Sequence, residues 1–284
     1  MRRRYDERMR RLALCLALLA LLLAACGGGE EGEPTSTATS RPTRTPTHTP
    51  TKVPTSTPTL TPVPQPTQEP TQPLTGHAEV LRRGDPATNA VVLTFDAGSD
   101  TGFATQILDT LEAEHITAAF GITGQWADRN PGLIRRIVAE GHQLINHSYD
   151  HASFTGLSTR NLPLSQQQRW AEVDRTEEIV QQIAGASTKP YFRPPYGDYD
   201  DSVNADVFAR GYTYNVMWTV DSQGWNGLSA DEIVQRCLSQ AQAGAIYIFH
   251  VGSASQDAAA LQRVIDGLRA TGYGFVPLSA FAPP

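Results

Sequence analysis

Two histidines four residues apart, His147 and His151, sit in Asn146-His147-Ser148-Tyr149-Asp150-His151, directly after the short run Gln143-Leu144-Ile145. Read as a strand that ends in one helical turn, this stretch sends both imidazoles from one face toward a shared ion. Taken alone, the pair fits capping or chance as well as it fits ligation. Four other stretches offer it partners. Asp96 precedes Ala97-Gly98 at the end of an apolar run, where the glycine lets the chain turn sharply; the competing reading is a cap for the helix that starts near Phe103. Arg193-Pro194-Pro195-Tyr196-Gly197 holds an arginine and a tyrosine on a backbone stiffened by two prolines, a rigidity that serves structure as readily as a site. Trp218 to Trp225 sets Asp221 and an indole in a loop, with core packing of both tryptophans as the alternative. Ile248-Phe249-His250 ends an apolar run with an imidazole, which a buried hydrogen bond would also explain. Together these stretches strengthen the metal-site reading of the pair.

What must gather them is an alternation of strands and helices. Residues 90–95 form a continuous apolar run, as expected of a strand buried on both faces. Phe103, Ile107, Leu108 and Leu111 then recur at helical spacing. The pattern continues with strand 117–122, helix 131–140, strand 143–146, helix 165–184, a strand near 191–192 and helix 201–210. Strand 213–220, helix 229–243, strand 245–249, helix 256–270 and a strand near 275–276 complete it. Parallel βα units of this kind predict an α/β fold, a distorted and incomplete (β/α) barrel of about seven strands, with an open doubly wound sheet as the alternative. Either architecture does its chemistry at the carboxyl ends of strands, where Asp96, His147, Arg193, Asp221 and His250 all fall.

In this order and at these spacings the five stretches resemble the polysaccharide deacetylase family, the carbohydrate esterases that share the NodB homology domain. The resemblance covers about residues 88–280. It implies a metal-dependent enzyme that removes N- or O-acetyl groups from peptidoglycan, chitin-like glycans or acetylated xylan. It also implies a divalent cofactor: zinc, with cobalt or nickel as alternatives. Carried onto this chain, the family pattern makes His147 and His151 metal ligands, Asp96 the catalytic base, His250 the general acid and Arg193 the residue that orients Asp96. The backbone N–H of Tyr196 would hold the oxyanion. Pro194, Asp221 and Trp225, with the Tyr196 ring, would line the substrate pocket.

The chain departs from that pattern twice. Ala97 stands where the family has a second aspartate that ligates the metal, so the ligand set is one short of the usual three. Asp100, Asp150, Asp96 itself or water are the candidates for the vacant position. Gly224 stands where an aspartate commonly precedes Trp225 and tunes the acid histidine, which leaves Asp221 or a different tuning of His250. Two other readings therefore stay open: a wall-glycan-binding lipoprotein without activity on the same fold, and a hydrolase of another acyl or C–N bond.

The N-terminal third reads as export and anchoring. Six arginines within residues 1–11 precede the apolar run 12–25, too short to span a bilayer comfortably, and Leu23-Ala24-Ala25-Cys26 resembles a lipobox. Residues 1–26 are thus expected to be a lipoprotein signal lipidated at Cys26; an ordinary signal peptide is the alternative. Residues 27–75 are rich in Thr, Pro and Ser and too poor in apolar side chains to fold, a tether reaching roughly 150 Å if extended. Residues 76–284 form the catalytic domain. It carries 23 Asp and Glu against 14 Lys and Arg, which argues against nucleic acid as a partner. Cys15 and Cys26 lie in the signal, so Cys237 is alone in the domain and no intramolecular disulfide is expected. The expectation is a monomer outside the cytoplasm, held to the cell membrane by its lipid.

Overall fold

The structure, a computed structural model, describes residues 74–283. The expected signal, the lipidation site Cys26 and nearly all of the tether lie outside the described residues. No helix within them is long and apolar enough to cross a membrane.

Among the described residues, strands β1 (Glu79–Leu81), β2 (Ala90–Ala97), β3 (Ala119–Ile122), β4 (Gln143–Asn146), β5 (Tyr191–Phe192), β6 (Tyr214–Val216), β7 (Val220–Asp221), β8 (Ile246–His250) and β9 (Gly274–Phe275) alternate with seven α-helices. The helices are α1 (Ala104–Ala113), α2 (Gly124–Arg129), α3 (Pro131–Ala139), α4 (Gln166–Ala184), α5 (Asp201–Phe208), α6 (Ala230–Ser239) and α7 (Asp257–Ala270). Two of the longer helices start on Ser capping boxes, Ser165 with Gln168 for α4 and Ser229 with Glu232 for α6, each satisfying amide groups that the first turn leaves open.

Strand pairing is parallel throughout, in the order β1-β6-β5-β4-β3-β2-β8-β7, with β9 beside the start of β2. Eight strands in that path, rather than about seven, make the incomplete barrel. The expected single strand over 213–220 is two strands, β6 next to the first strand of the order and β7 at its other end. Met217 N still donates to Leu81 O of β1 at 2.8 Å, while Thr219 N donates to Ile246 O of β8 at 2.8 Å, so one extended run serves both ends. The three residues between β6 and β7 cannot span more than about 15 Å. The sheet must therefore curl until its ends approach, which excludes the open doubly wound alternative.

Alternation along the strands sorts the side chains into two environments. Val91, Leu93, Phe95 and Ala97 of β2 and Tyr247, Phe249 and Val251 at β8 join the layer under the helices, where the Phe95 ring stacks on Phe120 at 5.3 Å and on Phe249 at 5.4 Å. The other face looks into the barrel. There Val92, Ala119, Ile145, Tyr191, Val216 and Ile246 form an apolar floor. Two residues further along β2 comes Thr94, and two beyond that Asp96. The same count along β8 brings His250 into register beside Asp96. A closed apolar floor thus carries a polar layer at the carboxyl end.

Candidate active site

Arg193 is the centre of that polar layer. It is 0% exposed, and it donates from Nη1 to Asp96 Oδ1 at 2.6 Å, from Nη2 to Thr94 Oγ1 at 2.9 Å and from Nε to the Val216 carbonyl at 2.8 Å. Trp218 covers the guanidinium, 5.8 Å from its ring centre. Gly121 pairs with Asp96 in register, and a Cβ there would lie 2.2 Å from Asp96 Oδ1; only a glycine leaves room for the carboxylate. Burial alone would raise the Asp96 pKa. The charge of Arg193 and its hydrogen bond, with the His250 imidazolium, outweigh it and hold the carboxyl below its usual range. Asp96 is therefore an anion.

His147 and His151 meet, though not by a helical turn as expected. Residues 147–150 are not helical: Ser148 and His151 both have positive φ, 63° and 67°. Asn146 Oδ1 accepts from Ser148 N at 3.1 Å and Ser148 Oγ from His151 N at 3.0 Å. These local bonds compete with helix formation and fold the loop back on itself. The two Nε2 atoms lie 3.1 Å apart. The Nδ1 of His147 sits 2.9 Å from the Arg193 carbonyl, which fixes the proton on Nδ1 and frees Nε2. Burial holds both imidazoles below their usual pKa, His151 to about 3 with His147 as a second cause. Both are neutral, as ligands must be.

With metal–nitrogen bonds of about 2.0–2.1 Å, nitrogens 3.1 Å apart subtend roughly 100° at a shared ion, within the range of a four-coordinate site. The donor chemistry fits a divalent metal. Its third protein donor is a separate matter. Asp96 Oδ2 lies 3.4 Å from His147 Nε2. The other two candidates are engaged elsewhere: Asp100 accepts from the N and Oγ of Ser253, and Asp150 from Ala152 N. Ala97 is fully buried in the apolar layer under the helices. Among the described residues no ready-made cluster of three His, Cys, Asp or Glu side chains stands as a metal cage; the arrangement is an open imidazole pair with one carboxylate beside it.

The remaining expected residues surround one cavity of about 700 Å³, whose walls include Asp96, His147, His151, Pro194, Tyr196, Trp218, Asp221, Trp225 and His250. Tyr196 has φ 61°, so its N–H stands apart from the turn's hydrogen bonds, which run from Gly197 N and Asp198 N. Its ring meets His151 edge-on at 4.6 Å, and both it and Trp225 are more than half exposed at the rim. Asp221 accepts from Gln223 N at 2.8 Å and from the Trp225 indole at 3.3 Å, which orients that ring. The carboxylate closest to the His250 ring is not Asp221 but Asp257, the first residue of α7, with Oδ2 3.7 Å from His250 Nδ1. Burial would lower the His250 pKa; the adjacent Asp257 carboxylate and the charges of Asp96 and Asp221 outweigh it, and the pKa is raised.

Asp257, Thr94 and Gly121 were not legible as site residues. Asp257 reads in the sequence as an ordinary acidic residue in a helix's first turn, and Gly121 as a glycine inside a strand. The only available signal was that glycine, since an interior strand glycine often marks a close approach.

Comparison with known proteins identifies the family. Residues 83–215 match the polysaccharide deacetylase family. The peptidoglycan-N-acetylmuramic acid deacetylase PdaA of Bacillus subtilis is 32% identical over 68% of this chain and 71% of its own length. The chain belongs to the polysaccharide deacetylase family. A peptidoglycan-N-acetylglucosamine deacetylase of Bacillus cereus is 31% identical over 66% of each protein. The solved structure of B. subtilis PdaA superposes with a TM-score of 0.65 at 30% identity, over 71% of this chain and 84% of that one. A structure described as a family 4 carbohydrate esterase pseudoenzyme from Bacillus anthracis superposes with a TM-score of 0.64 at 25% identity, over 72% of this chain and 68% of its own.

Proposed function

We propose that this polysaccharide deacetylase removes acetyl groups from cell-wall glycan, N-acetyl groups of peptidoglycan or of a chitin-like polymer, and that it does so with a divalent metal held by His147 and His151. The observation that carries the reading is the pairing of opposites across one cavity. Asp96 is a carboxylate kept ionised by Arg193, and its strand neighbour His250 is an imidazole whose affinity for a proton is raised. Deacetylases named for peptidoglycan among the relatives support the substrate class.

A bound zinc, cobalt or nickel ion would supply Lewis acidity toward the acetyl carbonyl and a water. The chain's own residues do the rest. Asp96 takes the proton from the attacking water as general base, and Arg193 keeps it ionised and aimed. The Tyr196 N–H donates to the carbonyl oxygen as negative charge gathers there. His250 gives its proton to the departing sugar nitrogen, so that the amine leaves neutral. Trp218, Trp225 and the Tyr196 ring present apolar walls to the acetyl methyl and the sugar face. A lipid at Cys26 and the tether that follows would place this chemistry at the outer face of the cell membrane.

A second reading has one observation behind it: a fold relative is described as a pseudoenzyme, and Ala97 leaves this site without the aspartate expected to ligate. Acetate release separates the two. Asp96→Asn and His250→Ala are each expected to lower kcat by about 10² to 10⁴, with KM nearly unchanged because both groups act mainly in the transition state. A metal-loaded wild-type protein that binds peptidoglycan and chitooligosaccharides yet releases no acetate from either would establish the binding reading instead.

A further inference from the structure

An imidazole that hands a proton to a leaving nitrogen uses one ring nitrogen and must be held by the other. The inference below rests on that reading of His250. His250 lines the cavity while its Nδ1 is buried and has no hydrogen-bond partner within range. Facing it is Asp257, whose side chain is 0% exposed. The Asp257 Oδ2 accepts from the His250 backbone N at 2.7 Å and from Ser222 Oγ at 3.1 Å, and lies 3.7 Å from His250 Nδ1. Its second oxygen, Oδ1, is buried without a partner. Two unpartnered buried polar atoms thus belong to side chains that already touch, and a slight turn of either one would join them. An isolated buried carboxylate is costly, so this one has a reason to be there.

The space around the carboxylate supplies an independent observation. A Cβ on Gly224 would lie 2.6 Å from Asp257 Oδ1 and 2.2 Å from Ser255 Oγ. Position 224 is therefore closed to any side chain by the group that faces His250. Asp221 is no substitute, because Gln223 N and the Trp225 indole occupy its carboxylate.

We propose that Asp257 is the positioning residue of His250: it holds the Nδ1 proton and the ring's orientation, so that Nε2 faces the leaving nitrogen, and Gly224 is glycine because Asp257 fills its side-chain space. The proton balance is simple. His250 enters as the imidazolium, Nε2–H passes to the sugar nitrogen as the C–N bond breaks, and Nδ1–H stays on the ring, hydrogen-bonded to Asp257.

The test uses the full-length zinc-loaded protein and N-acetylated chitooligosaccharides. Asp257→Ala removes both carboxylate oxygens, so Nδ1 loses the acceptor that holds its proton and the ring is free to take the tautomer protonated at Nε2, the wrong one. The expected result is a kcat about 100-fold lower or worse, with KM within about threefold. A carboxylate returned from the other side should rescue it: Gly224→Asp added to Asp257→Ala with Ser255→Gly is expected to regain at least about tenfold in kcat over Asp257→Ala with Ser255→Gly alone. Gly224→Asp by itself should impair the enzyme. A kcat for Asp257→Ala within threefold of wild type would overturn the proposal. The ¹⁵N spectrum of the His250 ring gives a reading without turnover or variants: Nδ1 must carry the proton in the wild-type protein at neutral pH, and a neutral ring protonated only at Nε2 would also overturn it. If the wild type releases no acetate, the deacetylase reading fails while the spectrum still decides the Asp257–His250 pairing.

Discussion

Arg193 buries a full positive charge, and three named acceptors with one carboxylate make that tolerable: Asp96, Thr94 and the Val216 carbonyl. Removing one partner of such a pair typically costs about 3–5 kcal/mol, because the survivor is left charged and unpaired. Arg193→Ala should therefore damage folding as well as activity, which makes it a poor probe of chemistry; Asp96→Asn, which keeps a hydrogen-bonding oxygen, is the better one. The pH dependence follows from the two directions of shift. Asp96 is held below its ordinary 3.8 and stays ionised at any working pH. His250 is raised above its ordinary 6.5, so its acid form persists past neutrality and is lost as pH rises through the raised pKa. The expected profile of kcat/KM has an alkaline limb above pH 6.5 assigned to His250. Asp221→Asn, which removes the smallest of the contributing charges, should move that limb to lower pH by a small amount, while a limb unchanged in His250→Gln would assign it to another group.

At the level of elements, the chain announces its strands and helices clearly and its loops poorly. The runs over 90–95, 143–146 and 245–249 are apolar because both faces of each strand are covered, and the structure bears them out within a residue or two. Strand β1 has only three residues and helix α2 only six, too few to show a period, and both were missed. The His147–His151 loop was misread because four-residue spacing suggests a helix, whereas Asn146 and Ser148 supply side-chain bonds that favour a tighter fold. The pairing of Asp96 with Gly121 could not be read at all, since register between strands is set by packing of the whole sheet. That register makes its own prediction. Gly121→Ala puts a methyl 2.2 Å from Asp96 Oδ1 and must push the carboxylate away from Arg193. Overpacking of this kind typically costs about 1–3 kcal/mol, so the variant should fold with a lowered melting temperature and lose kcat about 100-fold or more, since the general base is displaced. Wild-type kcat in a folded Gly121→Ala protein would show that Asp96 tolerates the shift and that its placement matters less than argued.

For the molecule as a whole, the imidazoles link metal binding, pH and stability. His142, His147 and His151 are held below their ordinary pKa chiefly by burial. Each stays neutral in the folded protein while its unfolded counterpart takes up a proton near pH 6.5. The unfolded state then binds more protons as pH falls, so stability is full above about pH 6.5 and declines on the acid side, by at most about 1.4 kcal/mol per pH unit for each group. Metal binding adds to this in a way that can be measured. An ion that binds only the folded state stabilises it by about 2.7 kcal/mol when present at 100 times its Kd, and in a domain of this size each kcal/mol raises the melting temperature by about 2–4 °C. Stripping the protein with chelator should lower its melting temperature by several degrees, zinc should restore it, and His147→Ala or His151→Ala should abolish the difference. Because His151 is depressed to about 3, the zinc increment should survive at pH 5.5, where exposed imidazoles would already have surrendered a metal to protons. A wild-type melting temperature indifferent to chelator and to zinc, at pH 7.5 and 5.5 alike, would mean that the open pair of imidazoles holds no ion, and the chemistry assigned to this cavity would have to be argued again from Asp96, Arg193 and His250 alone.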